Sequence, residues 1–152
     1  MSEKAFQDAY PDELSHCYGC GRLNPDGLQL KSYWDGDETV AHFRPRPSHM
    51  AIPGYVYGGL LASLIDCHAA GTASAARARE DGIDPDVQPL ERFVTASLKV
   101  DYLAPAPVAQ PLEIRARVRE IKGRKVWLDA TLSANGTVCA RGDVLMIQIV
   151  DK

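Results

Sequence analysis

The chain has no run of about 18 apolar residues, the length a membrane-crossing helix needs, and its most apolar stretch is broken by Pro47, Pro53, Gly54, Gly58 and Gly59. No membrane partner is therefore expected. The first residues, with Glu3, Lys4, Asp8, Asp12 and Glu13, lack the basic start and apolar segment of a secretory signal, so the cytoplasm is the expected location. Four cysteines in 152 residues are too few for a disulfide scaffold, and in a reducing compartment they remain thiols. Neither sign of charge dominates: 17 Lys+Arg stand against 20 Asp+Glu, a net charge of -3, which argues against a nucleic-acid or membrane-surface role carried by overall charge. There is no internal repeat, no low-complexity segment and no second domain. The most informative lack is local. Residues 47–76, between Arg46 and Arg77, would carry about seven charges at ordinary density, yet Asp66 is the only one.

What is present is one domain, residues 1–152, 45% hydrophobic and so able to bury a substantial core. Residues 1–27 read as a polar, partly helical lead-in that ends in a turn-rich loop, Cys17-Tyr-Gly-Cys20-Gly21 followed by Asn24-Pro25-Asp26-Gly27. Alternation predicts a strand over about 28–34, a hairpin at Asp35-Gly36-Asp37 and a second strand to about Phe43. From Gly58-Gly59 to about Arg79 the pattern turns helical, with Leu61, Leu64, Ile65, His68, Thr72 and Ala75 recurring on one face. Four strands follow, at about 92–103, 111–121, 124–133 and 137–149, with Lys122-Gly123 and Asn135-Gly136 placed for tight turns. The sum is an α+β domain in which one long helix packs on a six-stranded antiparallel sheet.

On that helix the neighbours of Asp66 are Ala62, Ala69, Ala70 and Ala73, and no Lys or Arg stands three or four residues away to pair with it. Either the carboxylate points to water or bonds a core group, or it is a partly buried reactive acid of the kind that collects at active sites. The alanine face would let a second backbone approach closely, so the charge-free stretch reads as a surface between two copies of the chain. The Gly58-Gly59 start of the helix leaves unpaired N–H groups that suit a developing oxyanion. Eight residues of helix separate Gly58 from Asp66, a rise of about 12 Å, too far for both to act on one carbonyl. If both do, they come from two chains, which implies a homodimer with its site at the interface.

Five blocks together cover most of the chain: CYGCG with NPDGL (17–28), PGYVYGGLLASLID (53–66), TASLKVDYLAPAP (95–107), PLEIRARV (111–118) and GRKVWLDA (123–130). In this order the chain resembles the hot-dog fold acyl-CoA thioesterases, within the 4-hydroxybenzoyl-CoA thioesterase superfamily, and in particular their phenylacetic-acid-pathway (PaaI-type) branch. The resemblance implies a long helix wrapped by an antiparallel sheet, hydrolysis of an acyl-CoA or aryl-CoA thioester, and a homodimer, with pairing of dimers into a tetramer left open. By position it implies that Asp66 is the catalytic carboxylate, as nucleophile or as base for water. The Gly58 N–H, with Gly59 beside it, is the oxyanion contact, and the Thr95 hydroxyl helps orient water or the carboxylate. The chain departs from the pattern in having Tyr57 where most relatives carry His before the glycines, Ala51 where several have Asn or Gln, Cys67 after the carboxylate and Ala104 before Pro-x-Pro. His49 is two residues from Ala51 and within possible reach of the same space. Tyr55, Tyr57 and Ala51 are then expected to line the acyl pocket.

Arg115, Arg117 and Arg119 share one strand face and read as a solvated surface, whereas Arg124 and Lys125 at the following turn are expected to contact the phosphates of CoA. A nucleic-acid partner would need a broader basic surface with interleaved aromatics, and none is expected. Cys17-x-x-Cys20 has no second CxxC and no HxxxH to complete a zinc site, and His16 and Cys139 are the remaining ligands to consider. The expectation is no metal and no bound cofactor, the CoA thioester being substrate. His42 and His68 read as satisfied structural histidines. Two other classes remain open beside the hydrolase: a non-catalytic acyl-CoA binding or sensing module, suggested by Tyr57 and Ala51, and a hydratase or dehydratase on the same fold.

Overall fold

The computed structural model describes residues 4–150, so Glu3 and the outermost ends of the domain expected over 1–152 lie outside the described residues. The long helix, α1, runs over Gly58–Asp81. It is built from Leu, Ile and Ala after a stretch that Pro53 and Gly54 keep extended. Gly82 ends it in the left-handed conformation at φ 68°, its N–H reaching the carbonyls of Ala78 and Arg79. The strands are β1 (Ser32–Asp35), β2 (Glu38–Phe43), β3 (Phe93–Tyr102), β4 (Leu112–Lys122), β5 (Lys125–Ala134) and β6 (Thr137–Gln148). They form one six-stranded sheet in the order β1-β2-β4-β5-β6-β3, and every pairing is antiparallel. One helix packed on this sheet is the α+β arrangement expected. Asn135 and Gly136 turn at φ 50° and 81°, as the primed hairpin requires.

Three expectations need correction. The first strand begins at Ser32, four residues later than alternation suggested: the Leu28 and Leu30 N–H groups bond instead to the Tyr18 and Gly19 carbonyls, and Gln29 turns to φ 53°. The lead-in is not a polar appendage. Its two 3₁₀ turns, Phe6–Ala9 and Asp12–Leu14, are framed by Ala5, Phe6, Ala9 and Tyr10, all part of the core. Finally, the alanine face of α1 is largely used inside one chain. Ala69 and Ala73 are fully buried and Ala70 nearly so, and a Cβ on Gly71 would come within 2.7 Å of the Gln7 side chain. This face is therefore covered by side chains of its own chain.

The sheet ends at β1 on one side and β3 on the other. Along β3 most side chains on both faces are exposed, Val94 by 50% and Tyr102 by 53%. A ten-residue edge strand left open in this way offers unpaired backbone groups for another strand. Among the described residues no helix is long and apolar enough to cross a membrane.

Candidate active site

Asp66 lies just over two turns into α1, half-buried where the helix passes beneath β3. The Thr95 Oγ1 donates a hydrogen bond of 2.5 Å to Asp66 Oδ1, so the structure joins two residues 29 positions apart that the sequence nominated separately. A bulge between Thr95 and Ser97 breaks the β3–β6 register beside this contact. Bulges re-aim neighbouring side chains, and no turn-forming residue advertised this one. Among the described residues Asp66 enters no ion pair.

The helix start forms a second cluster. The Gly58 and Gly59 N–H groups have no backbone acceptor among the described residues, as first-turn geometry dictates. The Tyr102 hydroxyl, from the far end of β3, donates to the Gly58 carbonyl at 2.8 Å, and its ring leaves only 3.3 Å for a Cβ at Gly58. The Tyr57 ring lies across Gly59, where a Cβ would approach it to 2.6 Å. Val56, Gly58, Leu61, Tyr102 and Leu103 line an apolar groove of 370 Å³ at this point. Tyr102 and Leu103 were not anticipated as its walls. Tyr55 and Ala51 sit outside this groove, on an exposed loop closed by the Ala51 N–H to the Tyr55 carbonyl at 2.9 Å. His49 does not reach toward the helix start as its position had allowed: it is buried, its Nδ1 accepts the Arg46 N–H at 3.0 Å, and Arg46 Nη2 stands 3.4 Å from Nε2. Burial, with the Arg46 charge, pushes its acidity toward the neutral ring.

Within one chain α1 keeps Gly58 and Asp66 on opposite sides of about 12 Å of helix. Exposed apolar side chains gather near the helix start, among them Met50, Ile52, Tyr55 and Tyr57, with Tyr102 and Leu103 at the end of β3. Patches of this kind mark surfaces that bind something.

Arg124 and Lys125 stand at the β4–β5 hairpin and with Lys122, Trp127 and Ile147 enclose a groove of 440 Å³. Lys125 and Trp127 alternate with the buried Val126 and Leu128, so this groove opens on the sheet face turned away from α1. Lys125 pairs with Ile147 and Ile147 with Val94, which places the basic turn two strands from Thr95 at the same level of the sheet. Arg77 of α1 donates to the Gly123 carbonyl and ties the turn to the helix.

The three strand arginines are balanced locally. Arg115 meets Asp35 at 2.9 Å and Glu113 at 3.0 Å, Arg117 meets Glu38 at 2.7 Å, and Arg119 bridges Asp129 and Asp143 at 2.6 and 3.0 Å. His42 is an exposed residue 3.2 Å from Glu113 rather than a core histidine. His68 is the structural histidine expected, fully buried between Ser32 Oγ at 2.8 Å and Thr39 Oγ1 at 3.0 Å. Its pKa falls to about 4, chiefly because burial disfavours the charged ring. The third thiol beside Cys17 and Cys20 is Cys67, whose sulfur is 3.8 Å from that of Cys17. His16 is exposed and Cys139 packs elsewhere, against the Pro105 carbonyl at 3.6 Å.

Comparison with known proteins matches residues 53–140 to the family model described as "Thioesterase superfamily". A thioesterase superfamily protein of known structure from Shewanella loihica PV-4 is 45% identical, with 91% of this chain covering 98% of that one at a TM-score of 0.70. The E. coli PaaI protein from the phenylacetic acid degradation operon superposes at a TM-score of 0.67 over 82% of this chain and 83% of its own, with 16% identity, a likeness of fold. The acyl-coenzyme A thioesterase THEM4 of Rattus norvegicus is 29% identical over 83 residues, 55% of this chain and 30% of that protein. The chain thus spans about a third of the length of the curated relatives it matches, 30–39%.

Proposed function

Because the chain belongs to the thioesterase superfamily, we propose that it hydrolyses an acyl-CoA or aryl-CoA thioester, acting as a homodimer with two sites at its interface. Water adds to the thioester carbonyl, the C–S bond breaks, and the products are the free acid and CoA. Asp66 takes the proton from the attacking water, or attacks as carboxylate to form an anhydride that water then opens. The Thr95 hydroxyl occupies Oδ1 and leaves Oδ2 for that work. Charge developing on the carbonyl oxygen meets the Gly58 N–H of the other chain, with Gly59 beside it, where a first-turn amide and the helix dipole favour an anion. The leaving group is a thiolate whose conjugate acid has a pKa of about 8.5, so its departure needs no strong acid. A tyrosine at position 57 is compatible with that requirement.

The apolar groove against Tyr102 and Leu103 suits the acyl portion of the substrate, and Ala51, Tyr55 and Tyr57, which do not line it, are exposed on the segment leading into the helix start. Arg124 and Lys125 take the nucleotide phosphates, and Trp127 offers a ring beside them. Two copies joined along β3 would cover the exposed edge and the apolar patch, and would bring the helix start of one chain toward Asp66 of the other.

The observation that carries this reading is the Thr95–Asp66 hydrogen bond, made to the single charge of a 30-residue stretch that pairs with no cation among the described residues. Turnover of a panel of acyl-CoA and aryl-CoA thioesters by the wild type and by Asp66→Asn tests it. The reading requires the variant to lose at least about 10³-fold in kcat. Equal turnover by both removes Asp66 from the chemistry, and CoA-ester binding without turnover by the wild type makes the protein a binding module instead.

A further inference from the structure

The sulfurs of Cys17, Cys20 and Cys67 all lie within 4.8 Å of one another, and the proposed hydrolysis uses none of them. Cys17 and Cys20 come from the loop that precedes β1, Cys67 from the middle of α1. We propose that these three thiols form a binding site for a zinc-class cation, a soft divalent ion held as a tris-thiolate with its fourth position open to water.

The spacing fits. Three sulfurs at about 2.3 Å from a tetrahedral zinc stand about 3.8 Å apart, and Cys17 and Cys67 are already 3.8 Å from each other. Each thiol gives up a proton on binding, so three protons leave for solvent and the centre carries one net negative charge. The loop is shaped around this cluster. A Cβ on Gly19 would stand 2.3 Å from the Cys67 sulfur, so only glycine lets the loop press onto the helix there. A Cβ on Gly21 would lie 2.4 Å from the Cys17 nitrogen, and the Gly21 N–H closes the turn on the Cys17 carbonyl at 2.7 Å. Cys17 is half-buried while Cys20 and Cys67 are buried, so solvent meets the cluster on the Cys17 side. Thiolate donors select zinc or copper(I) over magnesium, calcium or manganese.

Such a centre would bolt the loop at 17–30 to α1 one residue from Asp66, so it bears on the same helix without entering the reaction. No spacing in the sequence signals this cluster, because the third donor lies 47 residues beyond the CxxC pair and carries no motif of its own.

The test is made on the full chain, purified reduced and stripped of metal, then titrated with zinc and separately with cobalt(II). The proposal expects about one equivalent bound per chain and a sulfur-to-cobalt charge-transfer band. Cys17→Ser and Cys67→Ser, checked by circular dichroism for an intact fold, should each weaken zinc binding about 100-fold or more, while Cys139→Ser leaves it unchanged. Substoichiometric uptake by the wild type, a cobalt spectrum without the charge-transfer band, or undiminished binding by Cys67→Ser would overturn it. A Cys17–Cys67 disulfide that forms on oxidation in protein that takes up no zinc would make the cluster a redox pair and equally end the proposal. None of these readouts depends on thioester turnover, so this inference and the proposed function fail separately.

Discussion

The Thr95 hydroxyl reaches Asp66 from an exposed position on an edge strand, so its removal costs little folding free energy and acts on the carboxylate. A hydrogen bond to a charged group contributes about 1.5–3 kcal/mol. Thr95→Val, which keeps the shape and deletes the hydroxyl, should therefore lower kcat about 10- to 100-fold with KM little changed. Steady-state kinetics on the best substrate of the panel measure this directly. A rise in KM at constant kcat would place Thr95 in substrate binding instead. Both members of this pair were legible in the sequence, Asp66 as the lone charge of its stretch and Thr95 through the family-like block. Their contact was not, because it depends on the β3 bulge and on which strand lies above the helix. Tyr102, Leu103 and Cys67 were missed for a related reason: each matters through a neighbour distant in sequence.

At the scale of elements, α1 is fastened to β1 and β2 by a polar chain inside the core. Gln7 Nε2 donates to Ser32 Oγ at 3.0 Å, which leaves the serine proton for His68 Nδ1. The imidazole Nε2–H then donates to Thr39, and Thr39 stands 2.6 Å from Thr72 on the next turn of the helix. Every member is satisfied with the ring neutral, and a proton on Nδ1 would break the link to Ser32. The folded pKa of about 4 against 6.5 for a free imidazole fixes the sign. Between those values the unfolded chain binds more protons, so stability is complete above about pH 6.5 and falls as pH drops toward 4. The expected loss from this group between pH 7 and pH 5 is about 2 kcal/mol. Urea unfolding at the two pH values should show it in the wild type and not in His68→Gln, which keeps polar contacts without a titrating ring. The same slope in both proteins would assign the pH dependence elsewhere. The helix, all six strands and the tight turns were readable from periodicity and turn residues. The start of β1 and the burial of the lead-in were not, because the CYGCG loop competes for the backbone of residues 28–30 and Phe6 and Tyr10 find their pocket only once α1 is in place.

For the whole molecule, the charge-free stretch serves the chain's own core first: from Leu64 to Ala76 every residue of α1 except Asp66 is buried within the single chain. If Gly58 and Asp66 serve one thioester, as proposed, the rigid stretch of about 12 Å of helix between them calls for a second copy. That separation makes the composite site testable by mixing two inactive proteins. Gly58→Pro removes the proposed oxyanion N–H at a position where helices accept proline, after a Tyr57 whose ψ of 146° already suits a following proline. Asp66→Asn removes the carboxylate. Each homodimer alone should be inactive. After subunit exchange half the dimers are mixed, and each mixed dimer holds one site with both Gly58 and Asp66 intact, so activity should return to about one quarter of wild type. If instead each site is built within a single chain, every site in the mixture carries a defect and no activity returns.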